Sequence, residues 1–142
     1  MTFASKTAER INSMTPMEIL DFVENAIVEQ GKSAVFMDES GNVACAYRGK
    51  DGTKCAFGII IDDADYHKSF EGARAWDITD RLGIVDRVKR QLFQRLQYAH
   101  DNAHRDVSTG YDVSFVDAFK SKVLHTRNWL LAGAEPNALY EE

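Results

Sequence analysis

His100-Asp101-Asn102-Ala103-His104 sets two imidazoles four residues apart, the spacing at which one helix face presents a pair of metal ligands. The string lacks the glutamate of a zinc-protease helix, and a closed site wants four ligands, so no metal or other cofactor is expected. The plainer reading makes His100 a hydrogen-bonded histidine at the edge of a core, with Asp101 paired to Arg105 one helical turn on. His100-Asp101 also has the form of a phosphohydrolase dyad, without the further separated histidines and aspartates that such a site needs. Cys55 beside His100 would make a nucleophile and its base if the thiolate were exposed and its pKa low. Cys45 and Cys55 instead fall on a face expected to be buried, where a free cysteine behaves as a small hydrophobe. No catalytic residue is assigned.

Charge gathers at Tyr47-Arg48-Gly49-Lys50-Asp51-Gly52-Thr53-Lys54. Arg48 and Lys54 should project from one polar face, where they could hold a carboxylate or a phosphate. On the structural alternative the glycines serve the turn and the charges solvate its tip. Asp62, Asp63, Asp65 and Glu71 are spaced too irregularly for a calcium loop. Tyr66, Phe70 and Trp76 interleave with these acids, a pattern suited to a protein-binding surface in which aromatics anchor and charges frame. The binding candidates are Tyr47, Arg48, Lys50, Lys54, Tyr66, Trp76, His100 and Asp101.

These residues must be held by elements that the pattern also predicts. Thr15-Pro16-Met17-Glu18 reads as a capping box with proline at the first helical position, and Leu20, Val23 and Ile27 recur at helical spacing up to Gly31. Ala34 to Met37 and Val43 to Arg48, joined by the turn formers Asp38 to Asn42, make a first hairpin. Lys54 to Ile61 is expected to add a third strand through a three-residue loop, Lys50-Asp51-Gly52, with Gly52 left-handed. That register sets Gly49 opposite Thr53, Tyr47 opposite Cys55 and Cys45 opposite Phe57, and it buries Val43, Cys45, Tyr47, Cys55, Phe57, Ile59 and Ile61 on one face. The two cysteines become diagonal neighbours, about 7–8 Å apart and too far for a comfortable disulfide.

Residues 62–83 read as a long loop with helical turns near Asp77 to Leu82. A helix from about Ile84 to Arg105 carries the stripe Val85, Val88, Leu92, Leu96, Ala99 and Ala103. Another, from about Ser114 to Ala132, is lined by Phe115, Phe119, Val123 and Leu130. The expected fold is α+β, a short three-stranded antiparallel β-meander packed by three to four amphipathic helices. It forms one domain over 1–142, with a flexible segment at 1–14 and a tail at 134–142.

The chain has 142 residues, 44% hydrophobic and 27% charged, enough for one core. Its net charge of −5 argues against binding to a phosphate backbone, although Arg87, Lys89, Arg90 and Arg95 form a local basic patch. No apolar run reaches signal-peptide or membrane-spanning length, and two cysteines do not make a secreted scaffold, so a cytoplasmic protein is expected.

The segment Cys45-Ala46-Tyr47-Arg48-Gly49-Lys50-Asp51-Gly52-Thr53-Lys54-Cys55-Ala56-Phe57-Gly58, followed by Ile61-Asp62-Asp63, Tyr66 and Glu71-Gly72, resembles a family of small uncharacterised proteins of tailed phages and prophages. That family's hallmark runs approximately C-x-Y-R-G-x-D-G-x-K-C-A-x-G. Leu96-Gln97-Tyr98-Ala99-His100-Asp101 is similar to its later L-Q-x-x-H-D segment. The likeness covers about residues 43–72 and 92–101. It departs at Ile60 and Ile61 and brings no activity with it. It implies a phage or prophage origin; together with the lack of a complete catalytic constellation and the aromatic-acidic loop beside the charged tip, it leads to the expectation of a non-enzymatic phage accessory protein that binds a host protein or complex in the host cytoplasm. The alternative is a small-ligand-binding protein or metal-assisted hydrolase that uses the hairpin tip with His100 and Asp101, in a pocket lined by Tyr47, Arg48 and His100.

Overall fold

A proline at the first helical position and a threonine before it start the best-signalled helix. The computed structural model describes residues 5–37, 39–41 and 43–134, Val43 by its backbone alone. In it, Thr15 Oγ1 accepts from the Glu18 N–H while the Glu18 carboxylate accepts from the Thr15 N–H. This helix ends at Gly31, whose φ of 76° and N–H to Ile27 O close it in the left-handed form. Before it, where a flexible end is expected, lies a helix, α1 at Lys6–Asn12. Its residues Thr7, Ala8 and Ile11 are buried, and the Ser5 hydroxyl both accepts from the Ala8 N–H and donates to Leu82 O. The capped helix is α2, Pro16–Gln30. The expected turn residues Asp38 and Asn42, and all but the first residue of the tail at 134–142, lie outside the described residues.

The first hairpin is present, with β1 at Val35–Met37 and β2 at Val43–Cys45 antiparallel and Val35 opposite Cys45. The third strand is not. The expected three-stranded β-meander is replaced by a two-stranded sheet, because the chain pairs Gly49 N–H with Thr53 O, and Cys55 N–H with Ala46 O, and then coils. Residues Ala56–Ile60 form a short helix, α3. A strand would have alternated burial, whereas Ala56, Phe57, Gly58, Ile60 and Ile61 are all buried. An unbroken apolar run of this length suits a buried helix as well as a strand, and periodicity does not separate them. Lys50–Gly52 is a 3₁₀ turn with Asp51 (φ 59°) and Gly52 (φ 74°) both left-handed, so the left-handed glycine is where it was expected.

The helical turns expected near Asp77 to Leu82 are α4, Ala75–Arg81. The long helix is α5, Arg87–Ser108, started by Asp86, whose side chain accepts from the Lys89 N–H. Val85, expected in its stripe, stands before it and is 85% exposed. Ser114 caps α6, Phe115–Leu131. α5 packs against α6, α4, α3 and α2, and Phe93 stacks on Phe57 of α3 with ring centroids 4.6 Å apart. α2 and α6 are further tied by Arg127, which bonds both Asp21 and Glu24 at 2.8 Å. Among the described residues there are six α-helices and one two-stranded sheet, and no helix is long and apolar enough to cross a membrane.

Candidate functional site

The charged tip is occupied by contacts within the chain. Arg48 turns back from it, donating through Nη1 to Tyr47 O and Gly58 O at 2.9 Å and through Nη2 to Ile61 O at 2.8 Å. It also pairs with Asp63 at 2.9 Å and lies over the Tyr66 ring, 4.8 Å from its centroid. A guanidinium thus closes the open carbonyls at the end of α3, as a fork of five donors can. Glu71 completes the knot. Its carboxylate accepts from the Tyr47 N–H at 3.0 Å, the Arg48 N–H at 3.2 Å and the Tyr66 hydroxyl. Burial, and then the bond to Glu71, push the Tyr66 phenol up to about 12. Tyr47 is wholly buried, its hydroxyl donating to Ala73 O at 2.6 Å, and burial drives its phenol far above the ordinary value. Lys50 is exposed, and the Lys54 backbone is held at both its N–H and its carbonyl by the Gln30 amide. Trp76 lies half-buried under Arg90, 4.0 Å from its ring centroid.

The second candidate segment is a fastener of the same kind. His100 is fully buried and its Nε2 accepts from the Ala34 N–H at 3.1 Å. A backbone N–H can only donate, so the ring proton sits on Nδ1, 3.0 Å from Asp101 Oδ1. Asp101 also accepts from the Gln97 amide at 3.1 Å, and Gln97 Oε1 accepts from the Phe57 N–H at 3.0 Å. One turn of α5 therefore secures the start of β1 and the first turn of α3. Asp101 is spent on His100 and Gln97, not on Arg105 as the sequence spacing suggested.

The hairpin, residues 72–75 and α5 enclose a cleft of about 560 Å³ with a mainly apolar lining. Val35, Ala44, Cys45 and Tyr47 form one side, and Gly72, Ala73, Arg74 and Ala75 another. Gln94, Gln97, Tyr98, Asp101, His104, Arg105 and Ser108 of α5 form the third. Of the eight binding candidates, Tyr47 and Asp101 line it and the other six do not. Cys45 and His104, weighed as metal ligands, line it as well; Arg105 entered only as a partner for Asp101, and Arg74 was missed. The α5 wall could have been found as a polar stripe at three- and four-residue steps; Arg74 gave no such signal.

His104 Nδ1 lies 2.8 Å from Ser33 Oγ. Burial, followed by the neighbouring His100, holds its imidazole below the usual 6.5. Cys45 and Cys55 are both free thiols, and burial, then a hydrogen bond with Cys45, raise the Cys55 thiol well above its ordinary value. A thiol so disfavoured as thiolate is a poor nucleophile. Among the described residues no three His, Cys, Asp or Glu side chains cluster as a metal site requires. No family model, curated protein or solved structure matches this chain.

Proposed function

We propose that this chain is a non-enzymatic binding protein that takes a small organic molecule into the cleft between the hairpin and α5. The observation that carries the reading is the cleft itself. Its volume of about 560 Å³ and mainly apolar lining, with a few polar groups on its walls, match the general build of a ligand pocket. Several of those groups are already fixed: Tyr47 by Ala73 O, and Gln97 and Asp101 by the α5 fastener. Preorganised walls lose little entropy on binding. Ser33 and His104 have the spacing of a nucleophile and a base, but Ser33 is not among the lining residues, which favours binding over catalysis. The setting proposed is cytoplasm, that of a host cell if a phage encodes the protein, and two free thiols suit it.

A neutral apolar fluorophore of suitable size, N-phenyl-1-naphthylamine, should saturate at one molecule per chain. Ala44→Trp, which fills the cleft from β2, should abolish that saturation while melting close to the parent. An absence of saturable binding to the parent overturns the proposal, and so does unchanged binding by a folded Ala44→Trp.

A host protein as the partner is the second reading. Tyr98 favours it, being 54% exposed and lining both this cleft and a smaller hollow of about 210 Å³ shared with Lys122 and His125 of α6. An exposed tyrosine between two hollows has the form of an interface anchor.

A further inference from the structure

We infer that the molecule this cleft takes carries a hydroxyl group, an alcohol or phenol hydrogen-bonded to Nε2 of His104 while its apolar body lies against Val35 and Ala44. The inference rests on the small-molecule reading of the cleft and names the ligand's chemical class. His100 and His104 stand one turn apart on α5, yet only the first is closed. His100 uses Nε2 on the Ala34 N–H and Nδ1 on Asp101. His104 uses Nδ1 on Ser33 Oγ at 2.8 Å, and among the described residues its Nε2 has no partner. No buried side-chain nitrogen or oxygen among those residues lacks one, so this nitrogen reaches accessible space. The imidazole lines the cleft and Ser33 does not, so the ring edge away from Ser33 is the one that the cleft receives.

Ser33 Oγ can donate to Nδ1 or accept from it, and Nε2 then offers the complementary role, a donor in the first case and an acceptor in the second. A hydroxyl answers either, because it donates and accepts through one oxygen, whereas an ether only accepts and an ammonium only donates. It also brings a single polar atom where a carboxamide brings two, and each polar atom left unbonded against a mainly apolar lining costs free energy. Burial, then the neighbouring His100, keep the imidazole below its usual 6.5, so at neutral pH it presents a hydrogen bond and not a charge. Ser33 lies two residues before Val35, the first residue of β1, which sets this polar contact at the hairpin side of the cleft.

Two molecules of nearly equal size separate the hydroxyl from the cavity: 1-naphthol and 1-methylnaphthalene, each read by its displacement of N-phenyl-1-naphthylamine. In His104→Phe, which keeps a ring in place, 1-naphthol should weaken about five-fold, roughly what one hydrogen bond supplies, with 1-methylnaphthalene within about two-fold of the parent. His125→Phe, at an exposed histidine of α6 beside the smaller hollow, should leave both unchanged. In the parent, where no variant has to fold, the His104 Nε2 nitrogen resonance should move further with 1-naphthol than with 1-methylnaphthalene. An equal effect of folded His104→Phe on the two molecules overturns the hydroxyl assignment, as does equal movement of the Nε2 resonance or failure of 1-naphthol to displace the fluorophore. In those cases saturable binding of the fluorophore itself leaves the cleft reading standing, whereas its failure to saturate the parent removes both. A loss of 1-naphthol in His125→Phe instead places the hydroxyl in the smaller hollow and also overturns the assignment.

Discussion

At Arg48 one guanidinium serves three backbone carbonyls, one carboxylate and one aromatic face, with its side chain 19% exposed. Removing it strands acceptors at the end of α3 and leaves Asp63 and the Tyr66 ring without their cation. The tip reading from sequence expected Arg48→Ala to change stability by no more than about 0.5 kcal/mol. The contacts predict a loss of about 2–4 kcal/mol in urea denaturation, the cost of several unmade charge-assisted bonds. Arg48→Lys should recover only part, since an ammonium cannot span the fork. A loss below about 0.5 kcal/mol for Arg48→Ala would return the residue to a solvated surface role. The sequence showed the type and the position but not the direction of the side chain, which depends on α3 ending where it does.

His104 makes a second prediction at this scale. Its imidazole is held below the usual 6.5, so as the pH falls the unfolded chain takes up the proton before the folded one does. The stability linked to it is intact above about 6.5 and is lost as the pH falls through the lower folded value. Denaturation midpoints should therefore be lower at about pH 5.5 than at about pH 7.5, and His104→Gln should narrow the gap. A gap unchanged by the substitution assigns the dependence to another group.

Among the elements, α3 stands where a strand is expected, and Gly58 reports on the difference. A Cβ at position 58 would stand 2.5 Å from Tyr47 O, a backbone atom that cannot swing aside. Gly58→Ala should therefore cost about 2 kcal/mol or more in a thermal or chemical melt. In the expected meander the same position faced away from the core, where alanine would be nearly neutral; a neutral result would restore the strand. Gly52→Val is a different case, since nothing lies within 4 Å of its Cβ and the cost is that of a left-handed φ of +74°, about 1–2 kcal/mol. α2, α5 and α6 were legible because caps and a 3.6-residue period agree over several turns. Helix α1 was not, because Lys6–Asn12 is seven residues long and draws its stability from Leu82 and Asp65, distant in sequence. Short helices are made by tertiary contacts, which local pattern does not carry.

For the whole molecule, the two segments that carry the motifs, about residues 43–72 and 92–101, turn out to fasten the chain to itself. Arg48, Tyr66 and Glu71 lock the tip to α3, and Gln97, His100 and Asp101 lock α5 to the hairpin and α3. Chemistry-bearing residue types pointed the sequence reading to these positions, and buried polar groups are where such types are also needed for structure. The cleft was partly legible: a pocket between hairpin and long helix was expected with Tyr47 in it, but its arginines belong to walls that only the three-dimensional arrangement brings together.

The central claim, a binding cleft beside a structural tip, is tested most directly by mapping amide chemical shifts of the labelled protein as N-phenyl-1-naphthylamine is added. The account predicts perturbations at Val35, at Ala44 to Tyr47, at Gly72 to Ala75 and along the cleft-facing turns of α5 from Gln94 to Ser108, with Gly49 to Lys54 unmoved. Shifts concentrated on Gly49 to Lys54, with α5 unchanged, would contradict it.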